Sequence, residues 1–298
     1  MRKILSCVGL LLAIGLLSSC GLRTDTNRYY YSPTWTRNSQ ILHIVTTQTV
    51  DKDIFGSQLD SDSKDFAQTI YPTGTGESPA LFETTGSLPS LLTCSPNSDY
   101  VAYADDLISG LYRKIVIRNI SLDVHSGVEV LELAFNPGIK SFDWSNDGTR
   151  LVYCTSDEIR IISLEGEDTL VLAQDNLVSV SWKYGSRIAF IYASGSDRLL
   201  SLVNPDGSGR LDLSADASVN YPQISAVNTS LVYGINQGNL ARVDVDAVSP
   251  TIQVFGSGFP GDRVRLSPDA TTLTYSKAGE KSGIYIMDIA SGVETRVR

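Results

Sequence analysis

The sequence predicts an all-β chain, a six-bladed β-propeller of four-stranded blades behind a short export segment. Three observations predict it. One line of sequence recurs six times, a second line of hairpin character recurs within the units, and no amphipathic helical stretch of useful length follows the first twenty residues. Self-similarity at a fixed period is the primary sign of a repeat architecture.

The first line is an apolar or aromatic residue, a small polar cluster with turn residues, then a short apolar strand. It runs WTRNSQILHI from Trp35 to Ile44, CSPNSDYVAY from Cys94 to Tyr103, and WSNDGTRLVY from Trp144 to Tyr153. It returns as WKYGSRIAF (Trp182 to Phe190), ISAVNTSLVY (Ile224 to Tyr233) and LSPDATTLTY (Leu266 to Tyr275). The ends of successive copies lie 59, 50, 37, 43 and 42 residues apart, near the blade period of about 40 to 50 residues.

The second line pairs DVHSGVE (Asp123 to Glu129) with DIASGVE (Asp288 to Glu294), identical at five of seven positions. Leu164 to Asp168 and Asn204 to Gly209 occupy the same place in their units. Each follows an apolar strand and precedes another. Glycine, aspartate and asparagine there supply the positive φ angles and local hydrogen bonds of tight hairpins.

A four-stranded unit cannot bury both faces of its sheet alone, and stacking units around an axis buries them. Six units fill Tyr31 to Arg298, the last with all four of its own strands, so closure is expected from blade-to-blade packing. The tyrosines at 29 to 31 are the place where an added strand could join blade six instead. Trp35, Trp144 and Trp182 are expected in the core between blades, because rings of that size are strongly buried.

The N-terminus carries a different signal. Arg2 and Lys3 form a positive head, Ile4 to Leu17 is an apolar run broken by Ser6 and two glycines, and Leu17-Ser18-Ser19-Cys20 closes it. The run is short for a membrane span and has the shape of a secretory signal. Its last four residues resemble the bacterial lipobox. That resemblance implies removal of residues 1–19, lipid transfer to the Cys20 sulfur, acylation of the new amine, and a short tether over residues 20–30. Two or more acyl chains give stable anchoring. The alternative is an ordinary signal peptide or an uncleaved anchor with Cys20 incidental. Gly21 stands where aspartate would favour inner-membrane retention, which points to the periplasmic side of the outer membrane in an organism that has one.

The repeated line resembles the TolB-like propellers, also called the WD40-like Pro-Asp repeat. Ser267-Pro268-Asp269, Ser95-Pro96-Asn97 and Ser145-Asn146-Asp147-Gly148 carry the likeness, and no copy is complete. The resemblance implies the fold over nearly all of the mature chain and is almost silent on function. TolB itself has an α/β domain before its propeller, and here about ten residues separate Cys20 from the first strand, so a role in the Tol system is not implied.

Composition restricts the function. The chain has 298 residues, 42% hydrophobic and 19% charged, with a net charge of −9. Without residues 1–19 it keeps 22 basic and 33 acidic residues, a net −11, which gives no footprint for nucleic acid. Cys7 falls in the signal and Cys20 is modified. Cys94 and Cys154 remain in strand-like runs, where buried thiols are the expected state and a disulfide the alternative. His43 and His125 are the only histidines, too few for a zinc site. His43 reads as a strand residue and His125 as a turn residue. No G-x-S-x-G is present, and neither histidine has a neighbouring nucleophile and orienting acid. Asp60, Asp62 and Asp65 resemble part of a calcium loop, but the turn glycine is missing and Lys64 intrudes, so a solvated loop is expected.

Two functions follow as expectations, with no cofactor in either. The first is an envelope lipoprotein whose propeller binds a protein or glycan without catalysis. The second is an envelope hydrolase or lyase using the axial cleft. The innermost strands offer Lys140, Asp143, Tyr221, Asp262, Arg263 and Arg265, mixed in sign and without histidine, which favours binding. Recognition then falls to long connections, Asp51 to Asp65 in blade one and Asp105 to Arg113 in blade two, expected on the same end of the propeller. Asp105, Asp106, Leu107, Ile108, Leu111 and Tyr112 give the second an acidic edge beside apolar anchors, suited to a partner with a basic face.

Overall fold

The structure is a computed structural model. It describes residues 23–298 apart from 53–57, 77, 85–89, 109–110, 122–125, 183–186, 215–217, 256–263 and 278–282. The lipobox residue Cys20, the turn residue His125 and the axial candidates Asp262 and Arg263 lie outside the described residues.

Every described element is a strand or a turn, and the strands form six four-stranded antiparallel meanders. Blade one is β1 (Arg23–Trp35), β2 (Ile41–Lys52), β3 (Gln58–Ile70) and β4 (Phe82–Glu83). Blade two is β5 (Ser90–Cys94), β6 (Tyr100–Ile108), β7 (Leu111–Ser121) and β8 (Ser126–Ile139). Blade three is β9 (Ser141–Trp144), β10 (Arg150–Cys154), β11 (Glu158–Ser163) and β12 (Asp168–Ala173), and blade four is β13 (Leu177–Ser181), β14 (Ile188–Ser194), β15 (Asp197–Val203) and β16 (Leu211–Asp212). Blade five is β17 (Asn220–Ile224), β18 (Leu231–Asn236), β19 (Asn239–Asp244) and β20 (Ile252–Val254). Blade six is β21 (Arg265–Leu266), β22 (Thr272–Lys277), β23 (Gly283–Asp288) and β24 (Glu294–Arg296).

The chain divides into two compact units, one of Tyr30–Val45 with Asp65–Arg298 and one of Met1–Tyr29 with Thr46–Lys64. The described part of the second is the start of β1, the end of β2 and the start of β3, where Lys52 pairs with Asp25 at 2.7 Å. Within the first, the buried side chains fall into six clusters, one for each pair of successive blades. Leu42, Ile44 and Phe82 of blade one meet Cys94, Tyr103 and Val116 of blade two, and Ile117 of blade two meets Phe142 and Trp144 of blade three. Further clusters join blades three and four through Val152 and Trp182, four and five through Leu202 and Val232, and five and six through Tyr233 and Leu273. The sixth closes the ring, with Trp35, Ile41 and Ile70 of blade one against Ile284 and Val297 of blade six. Each interface removes apolar surface from water on two sheet faces at once, which no single blade achieves.

Closure therefore needs no shared sheet: blade six has four strands of its own, and β1 belongs to blade one. The tyrosines at 29 to 31 lie inside β1, a strand of the blade-one sheet. Hydrogen bonds reinforce the seam. The Trp35 Nε1 donates to the Arg265 carbonyl at 3.2 Å, and the Arg298 guanidinium donates to the Gly74 carbonyl at 2.7 Å. Gly74 is required there: its φ is +77°, and a Cβ would stand 2.9 Å from the Val297 carbonyl oxygen.

The Pro-Asp hallmark proves to be a turn device. In blade three Ser145 Oγ donates to Asp147 Oδ1 at 2.6 Å while accepting from the Arg150 amide at 3.0 Å. In blade six Ser267 does the same with Asp269 and the Thr272 amide, at 2.6 and 3.0 Å. Blade two repeats it with Ser95, Asn97 and Tyr100. Partial burial pushes the Asp147 and Asp269 carboxyls up, but hydrogen bonds from Ser145 and Thr149, and from Ser267 and Thr271, outweigh it and hold both below the usual range. The residue after the aspartate or asparagine adopts positive φ: 62° at Ser98, 70° at Gly148 and 56° at Ala270. Only glycine takes that conformation freely, so Ala270→Gly is expected to raise stability by about 1 kcal/mol, read as a higher denaturant midpoint at unchanged slope.

Several expectations need correction. Residues 23–30 of the expected tether are in strand conformation, as the first part of β1. The acidic stretch at 60–65 is not a loop but lies within β3, and an extended strand lacks the tight turn of a calcium loop. The insertion at 105–113 is likewise a long hairpin, with Leu107 paired to Tyr112 and Ile108 to Leu111. In both stretches the composition reads as loop, while the backbone is strand. Cys94 and Cys154 are buried thiols that no disulfide joins, each in a different core cluster.

Candidate functional site

The innermost strand of each blade places one side chain at an equivalent position, immediately before the first residue of the repeated line. These six residues are Thr34, Thr93, Asp143, Ser181, Gln223 and Arg265. Their mutual contacts run from blade to blade, which shows that the position faces the axis. Thr93 Oγ1 donates to Asp143 Oδ1 at 3.2 Å, and Ser181 Oγ donates to Asp143 Oδ2 at 3.0 Å. Gln223 Nε2 approaches Ser181 Oγ at 3.5 Å, a weak contact, and donates to the Pro222 carbonyl at 2.8 Å.

Asp143 is the hub of this ring. It is 1% exposed, and two backbone amides add to the hydroxyls: Trp144 N to Oδ1 at 3.0 Å and Trp182 N to Oδ2 at 3.3 Å. Four donors thus converge on one carboxylate, the condition under which a buried charge is tolerated. Arg265 supplies the opposite charge. It is half-buried; burial pushes its pKa down and the nearby Asp143 charge partly restores it.

The indoles set the spacing of the ring. Trp144 Nε1 donates to the Thr93 carbonyl at 3.1 Å, bridging blades three and two. Trp35 Nε1 donates to the Arg265 carbonyl at 3.2 Å, bridging blades one and six in the same way. One interblade register therefore operates at both places. Two residues before the ring position, Leu91 and Tyr221 take positive φ of 58° and 53°, and the ladders of β5 and β17 shift register at the same points. Bulges of this kind re-aim side chains beside functional sites.

Of the other axial candidates, Lys140 is spent on structure. Lys140 Nζ donates to the Leu177 carbonyl at 2.7 Å, tying blade three to blade four. His43 is buried in β2, with Nδ1 3.4 Å from the Ile41 carbonyl. Among the described residues no group of three or more His, Cys, Asp or Glu side chains stands ready for a metal ion, and no helix is long and apolar enough to cross a membrane.

At the rim, Asp105 is buried at 6% exposure, so it is not the exposed acidic edge expected of it. Asp106, Leu107 and Ile108 continue β6 outward, and Leu111 and Tyr112, both half-buried, return along β7. An open groove of 520 Å³ lies on blade five, lined by Leu231, Arg242, Asp244, Thr251, Ile252 and Gln253. Its Arg242 is committed to Gln253 at 2.7 Å and to the Tyr233 hydroxyl at 3.3 Å.

Together these features define a six-bladed propeller with an axial polar ring and one extended hairpin on blade two. Among solved structures, the chain is similar to TolB from Acinetobacter baumannii, with a TM-score of 0.60 at 10% identity over 93% of this chain and 80% of that one. It is similar to the β-propeller domain of the trilobed protease from Pyrococcus furiosus, described as having an open velcro topology, with a TM-score of 0.55 at 13% identity over 91% and 98%. An oligogalacturonate lyase in complex with manganese gives a TM-score of 0.52 at 15% identity over 93% and 81%. These likenesses establish the fold. No family model and no curated protein matches the sequence.

Proposed function

We propose that the chain is an envelope lipoprotein, anchored through lipid on Cys20, whose propeller is a non-enzymatic scaffold for a protein partner in the periplasm. The observation that carries the scaffold reading is the state of Asp143. It is the one acid of the six-membered axial ring, and its two oxygens are occupied by four donors of the fold itself. A carboxylate so held is fitted to bind blades together, not to exchange protons with a substrate.

Recognition is assigned to the blade-two hairpin. Propeller faces are consumed by packing, so loops and projecting ends remain for partners. Strands β6 and β7 stay paired as far as Ile108 and Leu111, and backbone already held in a ladder lowers the ordering cost of binding. A net charge of −11 for the portion after residue 19 favours a partner with a basic face, because complementary charge speeds encounter.

Two experiments test the reading. Cys20→Ala should move the chain out of the membrane fraction or leave it at precursor size. Recovery with membranes at mature size would overturn the lipid anchor. Replacing residues 107–112 by a two-residue Asn-Gly turn, which keeps Asp105 opposite Lys114, should leave the melting temperature within about 3 °C and abolish the crosslinked species formed in intact cells. Crosslinking that survives this change would place the partner elsewhere or refute the scaffold.

A further inference from the structure

The axial ring is chemically lopsided. Its blade-two-to-four side is complete: the hydroxyls of Thr93 and Ser181 both end on the Asp143 carboxylate. Among the described residues, the blade-six-to-one side carries the donors without an acceptor. The Arg265 guanidinium makes no hydrogen bond or ion pair with any described residue, and Asp143 acts on it only through its field. Thr34, 0% exposed, has a hydroxyl oxygen without a hydrogen-bond partner.

These two residues are ring neighbours across the seam. The Trp35 indole reaches the Arg265 carbonyl as the Trp144 indole reaches the Thr93 carbonyl. Thr34 therefore stands to Arg265 as Asp143 stands to Thr93. At the latter pair a carboxylate receives the donors. At the former no described side chain supplies one, although guanidinium groups hold carboxylates in a matched two-point geometry.

We propose that the propeller axis is a binding site for a small organic monocarboxylate, held by Arg265 with Thr34 as a second donor. The ligand takes, on one side of the ring, the place that Asp143 takes on the other. Asp143 also sets the charge preference. With one fixed anion nearby, the site tolerates a single further negative charge and repels a dianion. Arg265 keeps part of its surface exposed. The site is separate from the blade-two hairpin, and its failure leaves the scaffold reading untouched.

The test uses the full chain labelled with nitrogen-15 and titrated with acetate, with chloride at equal ionic strength as baseline and phosphate, at a pH about one unit above its second pKa, as the dianion. The Arg265 Nε–H resonance, assigned by its loss in Arg265→Lys, is expected to shift saturably with acetate and much less with phosphate. Arg265→Gln should weaken acetate binding at least about tenfold, the scale of one charge-assisted pair. Thr34→Val, nearly the same shape, should weaken it by about threefold, one modest hydrogen bond. Arg198→Gln, on an exposed position of β15, should change nothing. A shift that follows ionic strength whatever the anion, an equal response to phosphate, or acetate affinity kept in Arg265→Gln would each overturn the proposal. If Arg265→Gln fails to fold, the wild-type titration and Thr34→Val decide alone.

Discussion

Asp143→Ala is expected to destabilise the propeller by about 3–5 kcal/mol. The carboxylate is 1% exposed, and its removal leaves four inward donors without an acceptor: the hydroxyls of Thr93 and Ser181 and the amides of Trp144 and Trp182. The hydroxyls can rotate toward other acceptors, whereas the two amides cannot. Arg265 loses its counter-charge in the same step. A chain of this kind has a total stability of roughly 5–15 kcal/mol, so the loss lowers the melting temperature by about 10 °C. Asp143→Asn keeps one carbonyl acceptor and turns the other atom into a donor facing the Trp182 amide. It is expected to cost about half as much. Denaturant melts of the three chains check this order. An Ala variant within 1 kcal/mol of the parent would show that Asp143 does not hold the blades together.

The ring also shows what the sequence can reveal. The blade count, the four strands of the last unit and the burial of Trp35, Trp144 and Trp182 were legible because one line repeats, and a repeat forces each copy into the same environment. The polar ring was half legible. Asp143 and Arg265 stand out as charges on inner strands, while Thr34, Thr93, Ser181 and Gln223 are ordinary residues of strands. Alignment of the six copies places all of them immediately before the first residue of the repeated line. Scanning for charges alone misses them, although the hydroxyls are what make the Asp143 charge tolerable. The strand at 58–65 and the hairpin at 105–112 were not legible. Long runs of Asp, Ser and Lys read as solvated loops, and strand pairing beyond a blade depends on a partner strand that local composition does not reveal. For the same reason Asp105 reads as exposed, yet it lies inside the ladder opposite Lys114.

The buried histidine gives the second large effect, a loss of stability on mild acidification. His43 is 0% exposed in β2. Burial is the main cause that lowers its pKa, the hydrogen bond to the Ile41 carbonyl opposes it, and the positive charge of Arg298 adds to it; the result is about 4 against an ordinary 6.5. The folded chain therefore keeps this imidazole neutral where the unfolded chain already binds a proton. The unfolded state holds more protons between those two values, so stability rises with pH across the window and is lost as pH falls from 6.5 toward 4. The full difference corresponds to about 3 kcal/mol. Asp147 and Asp269, whose carboxyls sit below an ordinary 3.8, withdraw their contribution only at lower pH, so the two effects separate along the axis. In His43→Leu the slope between pH 6.5 and 4 should flatten, leaving the loss below pH 4 in place. Denaturant midpoints taken across pH 3–7 on both chains make the comparison. A parent chain with constant stability from pH 6.5 to 4, or a Leu variant with the parent's slope, would mean that His43 takes up its proton in the folded state without cost.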